Sequence, residues 1–222
     1  MKTIPTLAAS IILTAPMLAA AQPRPFTLEL GHAYIGWEID HFGYSNTVGQ
    51  FKSFDGVFEI DEEAPEKSRI SFVIDAKSID SNHPGRDNHL RAADFLDVEA
   101  HPTITFVSTT IEMTDSRRGE IIGDLTFEGV TKPFSLTFRV TGDAPFADFL
   151  PRYDQRRAVG FEAEGRFDRL SHGLDVLNFP GSPIGQYIDL KMHFDLVEYQ
   201  GAPENNIPCQ YGRNAELEFP YE

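Results

Sequence analysis

RDNHLRAADFLDVEAHPTITFVS, residues Arg86 to Ser108, changes period in its middle, and that change decides the fold class. The first half sets Leu90, Ala93 and Leu96 on one face at three-residue spacing, with Phe95 beside them, which is the pattern of a short amphipathic helix. Asp87 or Asn88 is expected to cap its exposed N–H groups. His101-Pro102 ends it, because the residue before a proline is pushed towards extended backbone. Alternation then takes over at Ile104 and Phe106. The polar turn Asp80 to Gly85 precedes the helix, and strand-like sequence lies on both sides. A sheet interrupted once by such a helix has a natural plug or lid, so the mouth of a cavity is expected beside it.

Upstream, Pro25 to Asp40 alternates weakly through Phe26, Leu28, Leu30, Ile35, Trp37 and Ile39. Val48 to Asp61 reads as one long strand pinched at Asp55-Gly56. Ile70, Phe72, Ile74 and Ala76 then share a face. Downstream the alternation is cleaner. Ile121, Gly123, Leu125 and Phe127 form one inward set, and Phe134, Leu136, Phe138 and Val140 a second. Val159, Phe161, Ala163, Gly165 and Phe167 form a third, and Ile188, Leu190, Met192, Phe194 and Leu196 a fourth. Gly142 to Arg157 and Ser171 to Pro183 read as long loops. Eight or nine strands, each apolar on one face and polar on the other, predict an all-β antiparallel sheet that removes its edges by closing. The expected fold is an eight-stranded barrel with one short helix, room for side chains or one small ligand, and an irregular C-terminal tail. Gly123, Ala163 and Gly165 are expected to keep its pore open.

The chain has 222 residues and a net charge of −15, with one cysteine and 18 phenylalanines. The apolar run Ile4 to Leu18, preceded by Lys2 and followed by Ala19-Ala20-Ala21, reads as an export signal over 1–21 that is cleaved before Gln22. The run is too short to span a bilayer. Removing it leaves the balance more acidic still. That argues against nucleic acid and anionic membrane surfaces, which need clustered Lys or Arg. One domain is expected over 22–201. Residues 202–222, which include the single Cys209, read as a separable tail without period. A lone cysteine gives no internal disulfide. The expected product is periplasmic or secreted, monomeric or homodimeric, with no stable membrane insertion.

Catalytic chemistry finds little footing. Ser171-His172 is adjacent in sequence, but no Gly-x-Ser-x-Gly elbow accompanies it, and no phosphate loop, haem or flavin signature appears. No catalytic residue and no cofactor is expected. His83, His89 and His101 beside Asp87, Asp94 and Asp97 match no compact metal-ligand spacing, so no metal is expected. Arg86 and Asp87 are placed to fix the chain's approach to the helix by hydrogen bonds. Arg86, His89 and Arg91 are candidate polar head-group contacts, since guanidinium suits phosphate geometry.

Arg86-Asp-x-x-Leu90, Asp94-Phe-Leu-Asp97, His101-Pro-x-Ile-x-Phe106-x-Ser108 and Gly123-Asp-Leu-Thr-x-x-Gly129-Val-Thr-Lys-Pro133 together resemble the YceI-like family, over roughly Phe26 to Tyr199. Gly49-x-Phe51, Phe54-x-Gly56 and Ile184-Gly185 extend the match. Where the family has a His-Ser pair and a second histidine, only His32 and His41 correspond, and where it continues Arg-x-x-Phe-Gly this chain has Arg169-Leu-Ser-His172-Gly173, so the aromatic is missing. The resemblance implies an exported lipocalin-like barrel that holds a polyisoprenoid or other long-chain amphiphile. On the apolar faces read above, the pore lining is expected to be Phe51, Phe58, Phe72, Ile74, Phe95, Phe106, Leu125, Phe127, Phe138, Phe161, Ala163 and Phe167. About ten buried methylenes at ~0.8 kcal/mol each supply ~8 kcal/mol before ordering costs. The alternatives are an enzyme acting on an isoprenoid lipid and a stress-related scavenger or interaction module.

Overall fold

The alternating segments become the strands of a barrel wall. The computed structural model describes residues 23–145 and 156–198; the expected leader and tail lie outside them. In chain order come β1 (Arg24–Leu28), β2 (Tyr34–His41), β3 (Ser45–Phe51), β4 (Phe54–Ile60), β5 (Arg69–Asp75) and β6 (Ile79–Asp80). The helix α1 (Pro84–Leu90) follows, then β7 (Thr103–Met113), β8 (Arg118–Phe127), β9 (Val130–Pro145), β10 (Arg157–Asp168) and β11 (Ile184–Glu198). Every pairing is antiparallel, and β1 closes on β11.

Three staves of the barrel are broken in the middle. β1 pairs with one end of β11 and β2 with the other, the two joined by a 3-10 turn at Leu30–His32. β3 and β4 part at Lys52-Ser53, and β5 and β6 part at the 3-10 turn Ala76–Ser78. The last two breaks are stitched together: the Lys52 amide donates to Ser78 O at 3.2 Å and the Asp75 amide to Ser53 O at 3.0 Å. Counted as staves, the 11 described strands make the closed eight-stranded antiparallel barrel.

Three expectations change. The strand expected over Val48 to Asp61 divides at Lys52-Ser53 and is not pinched at Asp55-Gly56, where the register with β5 runs straight through. A Cβ on Gly56 would lie 3.0 Å from the rings of both Phe58 and Phe72, so the glycine makes room for two aromatics. β9 continues to Pro145, paired with Arg157, where a loop was expected from Gly142. The helix is shorter and earlier than its apolar spacing implies. Pro84 occupies its first turn and His83 caps it, Nδ1 accepting from the Arg86 amide at 3.1 Å. Ala93, Phe95 and Leu96 sit in the turns that follow it.

The register assigns the connections to two ends. The β2–β3 turn, the stretch 81–102, the β8–β9 turn and the β10–β11 loop share one end, here called upper. The β4–β5 and β7–β8 turns lie at the other. The lower half is solid. Phe58 and Phe72 meet edge-on at 5.1 Å, Phe72 stacks on Phe194 at 5.1 Å, and Phe138 stacks on Phe161 at 5.4 Å. Such pairs add to the burial of large apolar area. No helix among the described residues is long and apolar enough to cross a membrane.

Candidate functional site: an apolar cavity in the upper half of the barrel

Above the aromatic floor the barrel is hollow. Trp37, Ile74, Ile188 and Leu190 point inward yet remain only half-buried, because the space they face is a cavity of about 350 Å³. Strands supply most of its wall, including Phe51, Phe72, Ile74, Phe106, Leu125, Phe127 and Phe167, all expected there. Phe95 of the turns after α1 is also in the lining, as expected.

Phe58, Phe138, Phe161 and Ala163 are not in the lining. They lie on the inward faces of their strands, but at the level where opposing phenylalanines fill the barrel. Ala163 stands opposite Phe138 on one neighbour and Met192 on the other. Gly123 and Gly165 do not border open space either. A Cβ on Gly123 would meet the Phe106 ring at 2.5 Å, and one on Gly165 the Phe134 ring at 2.8 Å. These glycines let rings lie flat along the wall, and the volume that results is elsewhere.

The lid side is built from α1 and the turns behind it. Asp87 is buried and accepts from the amide and hydroxyl of Ser81, the amide at 2.8 Å. Arg86 donates from Nε to Ser81 Oγ and from Nη2 to Ser81 O, each at 2.7 Å. So the Arg86–Asp87 pair does fix the helix by hydrogen bonds, while Arg86 also borders the cavity. His89 lines the cavity, bonds Asp94 at 2.9 Å and packs its ring on Phe95 at 4.7 Å. The bond from His89 holds the Asp94 carboxyl below its usual range. Arg91 does not reach the cavity. Its guanidinium donates to Lys77 O at 2.7 Å and Ile79 O at 2.6 Å, which staples the helix to the broken stave beneath it.

The opposite side of the mouth is the β10–β11 loop, organised by Arg169. Its side chain is 2% exposed. Nε donates to Gly185 O at 2.8 Å, and Nη1 to Leu174 O and Val176 O at 2.7 and 2.8 Å. Burial pulls its pKa down, against the nearby charges of Asp175 and Asp168. Arg169, Leu174, Leu177, Pro183 and Ile184 all border the cavity. Arg169 was legible in principle: Phe161, Ala163, Gly165 and Phe167 alternate inward, and position 169 is the next inward step. Ile39, Phe134 and Trp37, read from the sequence only as apolar points of their strands, also border the cavity.

Where the β8–β9 turn meets the lid, Glu128 and Asp97 come together, both at positive φ of 48° and 38°. Glu128 Oε1 is buried without a hydrogen-bond partner among the described residues. Burial first, and the Asp97 charge second, push its carboxyl up to about 7. Leu96 and Phe127, their chain neighbours, line the cavity.

Ser171 and His172 do touch, Oγ to Nδ1 at 3.0 Å. The hydroxyl also donates to Asp168 O at 2.8 Å, and the other ring nitrogen is buried with no partner among the described residues. The imidazole packs on Phe167 at 4.5 Å, and burial lowers its pKa. No carboxylate among the described residues bonds to it, so the pair reads as loop packing rather than as nucleophile and base. His83, His89 and His101 serve different neighbours, and no cluster of three metal-ligating side chains occurs among the described residues.

Comparison with known proteins agrees with this architecture. The profile of the YceI-like domain matches residues 26–196. Protein YceI of Escherichia coli O157:H7 is 39% identical over 192 residues, which cover 86% of this chain and 94% of that protein. A UPF0312 protein of Pectobacterium carotovorum is 39% identical over 166 residues, 74% of this chain and 82% of that protein. Among solved structures, the Campylobacter jejuni YCEI protein superposes with a TM-score of 0.63 at 26% identity, covering 70% of this chain and 87% of that one. A polyisoprenoid binding domain from Saccharophagus degradans shares the fold, with a TM-score of 0.55 at 9% identity over 80% of this chain and 99% of that one. The closed barrel with its lid helix, the domain profile and these relatives lead to one assignment: the chain belongs to the YceI-like family.

Proposed function

We propose that this is an exported binding protein that holds a polyisoprenoid or another long-chain amphiphile in the upper half of its barrel, for transport, storage or sequestration. The observation that carries the reading is the cavity itself: about 350 Å³, walled by aliphatic and aromatic side chains, closed below by stacked phenylalanines and bordered at its mouth by a few polar groups. That is the make-up of a site that selects for shape and apolar length. Burial of a hydrocarbon chain supplies the affinity, at ~0.8 kcal/mol per methylene. Arg86 and His89 stand where a polar head would emerge. The family's binding barrels, and the name of the Saccharophagus degradans domain, support a lipid as the ligand. The apolar run ending in Ala19-Ala20-Ala21 supports export to the periplasm or beyond, with cleavage before Gln22.

Native mass spectrometry of the protein purified from its own host tests the reading. A co-purifying long-chain lipid, bound one per barrel, is the expected result. Conversion of that lipid during incubation would replace binding by catalysis. A barrel that stays empty in the presence of extracted membrane lipids would remove the lipid assignment. N-terminal sequencing of the exported fraction should begin at or near Gln22; an intact Met1 there would refute processing.

A further inference from the structure

The mouth of the barrel carries an exposed aromatic rim that the cavity does not account for. Phe42 is 52% exposed, Tyr44 89% and Phe179 53%. Phe42 and Tyr44 belong to the β2–β3 turn, their ring centroids 6.3 Å apart. The turn is tied to the β10–β11 loop by the Phe42 amide, which donates to Pro183 O at 3.1 Å; Ser182, next to it, donates its amide to Phe179 O at 3.0 Å. His41, Thr47, Leu177, Pro183 and Ile184 of the same two segments line the cavity, so the rim and the opening are continuous.

Phe42 is also held against its conformational preference. The Tyr44 amide donates to His41 O at 3.0 Å, and Phe42 and Gly43 have φ of 56° and 70°, which makes a type I′ turn. The first central position of that turn favours Asn or Asp. A bulky side chain there is an outlier, and this one is turned into solvent, where it contributes no core burial to offset the strain.

Charge is sparse where these rings are exposed, with Asp40 and Asp175 at the margins. Residues 41–51 and 176–188 contain no Asp, Glu, Lys or Arg, in a chain that is 24% charged with a net charge of −15. We propose that this rim docks peripherally on an uncharged, zwitterionic bilayer surface, so that cargo passes between membrane and cavity without crossing water. The inference rests on the reading of the cavity as a lipid site. Phe and Tyr at loop tips are side chains that settle at the boundary of head groups and acyl chains. A protein partner would be met by Arg and by a polar rim with hydrogen-bonding charges; the arginine of these two loops, Arg169, is buried and occupied with main-chain carbonyls. A neutral face suits a zwitterionic surface, while the acidic body would be repelled from an anionic one.

The test is sedimentation of the full chain with phosphatidylcholine vesicles. The protein should co-sediment, and raising salt from about 0.1 M to about 1 M should not release it, because the contact is apolar rather than ionic. Phe42→Asn should weaken vesicle binding about tenfold, and Phe42→Asn with Phe179→Gln about a hundredfold, from the apolar area lost. Phe42→Asn should at the same time raise Tm by about 2–4 °C, as the turn strain is relieved, so weaker docking cannot be put down to unfolding. A chain that carries lipid in its cavity yet stays in the supernatant with vesicles overturns the docking and leaves the cavity reading intact. A chain that sediments but never takes up lipid keeps the docking and overturns the cavity reading. Release by salt, or self-association through Phe42 and Phe179 without vesicle binding, overturns the proposal.

Discussion

The ring of Phe106 lies against Gly123 so closely that a Cβ at 123 would come within 2.5 Å of its Cζ and 2.4 Å of Val107 O. The ring could turn aside, but the carbonyl is part of the β7–β8 ladder and cannot. Gly123→Ala should therefore cost about 3 kcal/mol, at the upper end of overpacking. At Gly165 the nearest atoms are Leu136 Cδ2 at 2.7 Å and Phe134 Cζ at 2.8 Å, both on side chains that can give way. Gly165→Ala should cost about 1 kcal/mol. Denaturant midpoints of the two variants check the order; equal costs would show that the wall is softer than its register implies.

This pair also marks how far the sequence could be read. Alternation from Ile104 to Leu196 assigned the inward face of β7 to β11 correctly, because a two-residue period is local. Which half of the barrel is filled depends on where Phe58, Phe138, Phe161 and Phe194 meet across strands far apart in sequence, and no local pattern carries that. The break at Lys52-Ser53 has no glycine or proline to announce it, whereas Asp55-Gly56 suggests a pinch that does not exist, the glycine being needed for the Phe58 and Phe72 rings. The helix was found but misplaced. Leu90, Ala93 and Leu96 have helical spacing, yet Pro84 in the first turn and the His83 cap fix its start earlier.

Glu128 makes stability depend on pH. Its carboxyl is pushed up from 4.5 to about 7, so the folded state holds the proton more tightly than the unfolded chain. Ionisation then works against the fold: the contribution is fully present below about 4.5 and is lost as pH rises through about 7. Glu128→Gln should be close to neutral at about pH 4 and more stable than the parent by a few degrees at about pH 8. Thermal melts of both proteins across that range decide it. Parallel curves would mean that the carboxyl titrates alike in the folded and the unfolded chain, so that neither burial nor Asp97 shifts it.

Arg169 holds the β10–β11 loop by donating to three main-chain carbonyls from one buried guanidinium. A lysine keeps the charge but lacks the planar fork. Each carbonyl left without a donor costs about 1–3 kcal/mol, so Arg169→Lys should destabilise by about 2–4 kcal/mol. It should also open residues 170–183 to limited proteolysis while the rest of the barrel stays resistant. Cleavage unchanged from the parent would show that Ser182 and the turn bonds hold the loop without it.

The division into a solid lower half and a hollow upper half is tested by two enlargements that look alike in sequence. Ala163 and Leu190 both lie on inward faces of neighbouring strands, β10 and β11. Ala163 is fully buried between Phe138 and Met192. Leu190 is half-buried and borders the cavity. Ala163→Phe has to displace close-packed rings and should cost about 1–3 kcal/mol or more, with uptake of a fluorescent long-chain isoprenoid by the folded fraction little changed. Leu190→Trp has empty volume to grow into. It should leave Tm within a few degrees of the parent and weaken that uptake at least tenfold, since the added indole occupies space the chain would fill. Two measurements on each variant, a thermal melt and a ligand titration, separate the cases. If Leu190→Trp unfolds the protein while Ala163→Phe is tolerated and blocks uptake, the cavity lies in the lower half. If neither affects uptake, the ligand binds outside the barrel.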